Sequence, residues 1–125
     1  MHAQSSDFQK AGMVSVWAGD FRTEDDFDDY LNGEFELDFG FAIPDRAVQE
    51  IGVEPEPVSI EQLVAPFSRS STFAPGVVEA AHRIGCASAS AMFIIYFFAF
   101  DPSRVHVRPQ AQLRFLGAVP FPGFA

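Results

Sequence analysis

Apolar and polar positions alternate with two periods along this chain, and the switches between them mark its elements. Met13 to Ala18 is short and rich in β-branched and aromatic residues, and it reads as a first strand broken by Gly19-Asp20. Thr23 then stands as an N-cap with Asp26 three residues on, and Phe27, Tyr30 and Leu31 form one apolar face of a helix that Asn32-Gly33 ends. From Glu34 to Phe41, Phe35, Leu37, Phe39 and Phe41 alternate with Glu34, Glu36, Asp38 and Gly40. Period two predicts a strand with its aromatics inward and its carboxylates outward.

The middle of the chain is punctuated by proline. Pro44 to Pro57 reads as a connector, in which Asp45 caps a turn carrying Val48 and Ile51 that Gly52 closes; Glu54-Pro55-Glu56-Pro57 follows as an extended acidic spacer. Ser59-Ile60-Glu61-Gln62 is a capping-box pattern opening a short helix through Val64, and Phe67 to Thr72 is a serine-rich loop. A further helix is expected from Phe73 to Ile84, with Val77, Ala81 and Ile84 as its apolar stripe and Gly85 just past its end. Met92 to Phe100 is apolar on both parities, the pattern of a central strand buried on both faces. Ala111 to Val119 supplies the last strand, with Leu113, Phe115 and Val119 inward.

These elements predict an α+β fold: a four-stranded, mostly antiparallel sheet with helices packed on one face. The organisation expected is a flexible segment over residues 1–12 followed by one domain over 13–125. A strand apolar on both faces also needs cover on the side away from the helices, from terminal segments or from a second subunit.

Composition sharpens this picture in two ways. With 125 residues, 48% of them hydrophobic and 15 of them phenylalanine, the chain is of a size and apolarity that support one well-packed core. The single cysteine, Cys86, precludes an internal disulfide and reads as a small buried hydrophobe. The start lacks a basic and then apolar leader, and the longest apolar run is too short to cross a bilayer as a helix, so a soluble, cytoplasmic protein is expected.

Charge is unevenly spread. Residues 1–61 carry 15 acids against Lys10, Arg22 and Arg46, whereas residues 62–125 carry Glu79 and Asp101 against five arginines. The net charge of −9 disfavours nucleic acid and anionic membranes and favours basic partners. Nine carboxylates fall between Asp20 and Asp38. Such crowding opposes folding by mutual repulsion, which a basic partner would turn into attraction. The plainer alternatives are a solvated face, or pairing of the strand acids with Arg104, Arg108 or Arg114.

Catalytic constellations are absent from the pattern. His2, His82 and His106 are scattered, and no metalloprotease, redox or nucleophile-elbow motif occurs. No catalytic residue, metal ligand or cofactor is therefore assigned.

One run of motifs has a family likeness. It comprises Val14-Ser15-Val16-Trp17-Ala18-Gly19-Asp20-Phe21, the acidic Thr23–Leu31 helix with Phe27 and Tyr30-Leu31, and Asp38-Phe39-Gly40. It continues through the Phe67–Phe73 loop, Arg83-Ile84-Gly85 and Leu113-Arg114-Phe115-Leu116-Gly117. In these the chain resembles the immunity protein 22 family of bacterial polymorphic toxin systems, over nearly all its length beyond the first dozen residues. The resemblance implies an α+β protein that binds and neutralises a cognate toxin, with no catalytic residues. Trp17, Gly19, Phe27, Tyr30, Gly40, Gly85 and Gly117 match its motifs and are expected to be structural.

The expected partner is thus a cationic toxin domain such as a nuclease. Asp25, Asp26, Asp28, Asp29, Glu34, Glu36 and Asp38 would steer it and line the rim, and exposed aromatics near Phe67 or Phe73 would anchor it. Two other classes stand beside this reading: a small metal-dependent hydrolase using the same carboxylates, and a structural subunit that forms a homodimer through its sheet.

Overall fold

The computed structural model describes residues 5–43 and 48–122. Four strands, β1 (Gln9–Gly19), β2 (Gln49–Ser59), β3 (Ser88–Phe98) and β4 (Leu113–Pro120), form one sheet in the order β2-β3-β1-β4. All three pairings are antiparallel. Helices α1 (Glu24–Asp29) and α2 (Phe35–Phe39) lie between β1 and β2, and α3 (Ile60–Val64) and α4 (Ala74–Arg83) lie between β2 and β3.

The expected α+β class and antiparallel sheet are found, but the helices divide between both faces. Alternate residues of the two inner strands sort into separate cores. Val14, Val16, Ala18, Met92, Ile94 and Tyr96 meet α3 and α4 on one face. Trp17, Ala91, Phe93 and Ile95 meet Phe27, Tyr30, Phe35, Phe39 and Phe41 on the other. The α1–α2 segment therefore supplies the cover that a doubly apolar β3 requires, because each face of a buried strand needs its own apolar layer.

That cover exists because Glu34–Phe41 is not the expected strand. Phe35–Phe39 is one helical turn capped by Gly40, and Tyr30–Glu34 is a kinked link in which Gly33 has φ 142°. Phe35 and Phe39 stand i, i+4 as well as on one strand parity, so the same phenylalanines fit either period. The helical solution puts both rings against Trp17 and leaves Leu37 50% exposed. A turn this short is held by packing rather than by its own propensity.

Three further boundaries move. The expected connector contains β2, with its register shifted between Val53 and Val58, so Glu54-Pro55-Glu56-Pro57 bulges from an edge strand. Proline is tolerated there because an edge strand leaves alternate N–H groups without a ladder partner. Gly52 lies inside β2 rather than closing a turn, and Asp45 falls outside the described residues. β1 begins at Gln9 and Phe8 is buried, so the boundary drawn at residue 13 lies too late. In β4, a register shift between Phe115 and Gly117 sends Leu113 to one core and Val119 to the other.

Caps read from sequence form as expected. Thr23 accepts from the Asp26 amide at 3.1 Å, and Ser59 accepts from the Gln62 amide at 3.1 Å. Gly19 sits where β1 passes the start of β4: a Cβ there would lie 2.5 Å from the Gln112 carbonyl oxygen. Only glycine permits that approach without displacing backbone.

Candidate functional site

The acids gather around α1 and the kink that follows it. Glu24, Asp25 and Asp26 occupy the first turn of α1, where the amide dipoles favour negative charge. Phe27 and Tyr30 turn inward onto Phe21, with ring centroids 4.9 and 5.4 Å away. This anchoring forces the intervening carboxylates outward. Among the described residues, Asp25, Asp26, Asp28, Asp29 and Glu34 have no basic side chain within 4.0 Å.

The kink splits these acids between two hollows. Asp28 and Glu36 line a cleft of about 570 Å³ between α1–α2 and the edge of β2, with Leu31, Ile43 and Ile51 as its apolar lining. Asp26, Asp29 and Glu34 line a second hollow of about 370 Å³, with Asp20, Arg22 and Gln112. Asp25 is exposed on α1. Glu36 is partly committed, since its carboxylate accepts from the Ile43 amide at 2.6 Å.

Three expected site residues do not lie on this surface. Asp38 is 2% exposed; it accepts from the Tyr30 hydroxyl at 2.7 Å and lies 3.7 Å from the Arg108 guanidinium. The helical turn of α2 rotates it inward, where a buried carboxylate must be hydrogen-bonded and paired. Phe67 and Phe73 are 5% and 1% exposed and belong to the α3–α4 core. They are core residues rather than exposed anchors, because the serine-rich loop folds its two terminal rings under itself.

The pairing expected across the sheet is confined to Arg108 and Asp38. Arg114 instead donates to the Ile84 carbonyl, and Arg104 donates to the Asp7 carbonyl and stacks over Phe8. The motif residues occupy structural positions. Trp17, Phe27 and Tyr30 are buried in the aromatic core, Gly40 caps α2, Gly85 follows α4, and Gly117 packs against Ala80. His82 and His106 are exposed, and Cys86 is buried with its thiol pushed up by that burial.

One polar group was not anticipated from sequence. Glu50 on β2 accepts from the Tyr96 hydroxyl and from the Ser68 amide, tying β2, β3 and the serine-rich loop together. Burial, then the Glu50 hydrogen bond, pushes Tyr96 well above the ordinary tyrosine range, and burial with Asp38 does the same for Tyr30. The alternation of Ile51 and Val53 was the available signal for β2, but the neighbouring prolines masked it.

The site is thus an acidic helical face beside an open sheet edge. Comparison with protein-family models, curated proteins and solved structures finds no match in any of the three. Among the described residues, no helix is long and apolar enough to cross a membrane, and no cluster of three or more His, Cys, Asp or Glu is arranged to hold a metal ion.

Proposed function

We propose that this protein is a cytoplasmic immunity protein that neutralises a cognate cationic toxin domain, such as a nuclease, by binding it through the α1–α2 face. The observation that carries this reading is the row of outward carboxylates with no basic side chain within 4.0 Å among the described residues, held on an aromatic anchor and bordering two hollows, of which one also carries Arg22. Their mutual repulsion does nothing for folding, whereas it becomes attraction toward a basic surface. The motif resemblance to immunity proteins points the same way.

The test is calorimetry with the C-terminal domain encoded by the adjacent upstream gene, at low and high salt. Nanomolar, stoichiometric binding supports the reading, and no heat at either salt removes it. Reversal of Asp28 and Asp29 to lysine is expected to slow association about tenfold or more and to flatten its salt dependence, since steering acts mainly on the association rate. The single reversals separate the hollows, because Asp28 borders the β2 cleft and Asp29 the other. Unchanged association of the double variant would take the acids out of the mechanism.

A further inference from the structure

We propose that Asn32 is a site of spontaneous covalent modification, at which its side-chain amide is lost through a cyclic imide formed with the Gly33 backbone nitrogen. This chemistry is independent of any partner. Asn32 is the only asparagine of the chain, and the residue after it is glycine. Attack of a backbone nitrogen on the preceding asparagine side chain closes a five-membered ring, and a side chain on the attacking residue obstructs the approach. Glycine has none. The sequence therefore sets its one asparagine before the residue that hinders ring closure least.

The fold leaves that pair open to react. In a helix interior the hydrogen-bond ladder fixes each peptide and keeps its nitrogen away from the preceding side chain. Asn32 and Gly33 instead form the kink between α1 and α2, with φ −88° and ψ 41° at Asn32 and φ 142° at Gly33. Ring closure needs rotation about the Asn32 Cα–C bond. The link already departs from helical angles on both sides of the peptide that must turn. Asn32 is exposed, and no atom beyond the near neighbours in the chain lies within 4 Å of where a Cβ on Gly33 would stand.

Water is the only co-reactant. The Gly33 nitrogen gives up its proton and bonds to the Asn32 Cγ, the Cγ–Nδ2 bond breaks, and Nδ2 leaves as ammonia with that proton. Water then opens the imide at either carbonyl. Opening at Cγ leaves aspartate on the original backbone. Opening at the main-chain carbonyl leaves isoaspartate, whose backbone runs through Cβ and is one carbon longer. Either product adds a carboxylate to the cleft that Asn32 lines with Asp28 and Glu36. The longer backbone also falls between α1 and α2, where it shifts Phe35 and Phe39 against Trp17. The acidic face thus changes with age, in its charge and in the seating of α2.

The test is to age the folded full chain at mildly alkaline pH and body temperature, digest it at arginine and lysine, and weigh the fragments. The fragment from Thr23 to Arg46 contains Asn32 and no glutamine, so its mass reports this side chain alone. Expected are a gain of one mass unit in that fragment with time and labelling of it by an isoaspartyl methyltransferase. Neither is expected of Asn32→Gln, which would have to close a six-membered ring. Because Asn32 is exposed, that variant should keep the wild-type circular dichroism; should it not, the wild-type fragment reads the reaction without it. If the folded chain keeps its mass while the urea-unfolded chain gains the unit, the fold shields the pair and the proposal is overturned. A gain without isoaspartyl labelling, which would mean direct hydrolysis of the amide, overturns it too, as does an equal gain in Asn32→Gln.

Discussion

Replacing Trp17 with alanine is expected to destabilise the fold by about 3–5 kcal/mol, the cost of emptying a buried aromatic site. Trp17 is fully buried, and its ring lies 5.2–6.0 Å from those of Phe35, Phe39, Phe41, Phe93, Phe100 and Phe115. It joins the sheet to α2, so its loss removes the surface on which Phe35–Phe39 is folded. Trp17→Phe should cost much less. It keeps an aromatic body and deletes the indole Nε1–H, a buried donor without a hydrogen-bond partner among the described residues. Urea unfolding followed by circular dichroism compares the two, since the only tryptophan is the one replaced. Equal losses would mean that ring size, rather than contact with α2, governs the site.

Stability is expected to fall steeply with alkali. Tyr30 and Tyr96 are both buried and both donate to carboxylates, and each is raised well above its ordinary value of 10.0. Above that value the unfolded chain loses tyrosine protons that the folded chain retains. The unfolded state then binds fewer protons, so stability declines as pH rises and is fully present below pH 10. The slope approaches about 1.4 kcal/mol per pH unit for each tyrosine. Urea midpoints between pH 9 and 11 measure it, and Tyr30→Phe or Tyr96→Phe should each remove one tyrosine's share. A flat profile would show that these hydroxyls ionise freely in the folded protein.

Both predictions turn on long-range contacts, and that is where sequence reading was weakest. The Glu34–Phe41 alternation satisfied a strand in every position, yet Phe35 and Phe39 also satisfied a helical turn. The deciding factor was a bare aromatic face on β1 and β3, which no local window contains. The error carried into the site: on a strand Asp38 would have pointed outward with Glu36, whereas on the turn it points at Tyr30. Phe67 and Phe73 were misplaced for a related reason. A polar loop composition says nothing about which of its rings fold underneath. β2 was missed because its prolines resemble a linker unless the strand is known to lie at an edge.

What the amino-acid sequence determined by itself was whatever depends on near neighbours. The Thr23 and Ser59 caps, the α4 helix ahead of Gly85, the doubly apolar β3 and the acidic run over 20–38 are all set within a few residues. The doubly apolar β3 also required a covered sheet, and so the α+β class. Only the tertiary structure decided which period the Phe35–Phe41 aromatics obey, which carboxylates reach solvent, and that helices cover both faces. Those outcomes depend on which apolar surface stands vacant opposite each segment, and that surface is assembled from strands distant in the sequence, such as Trp17 beside Phe93.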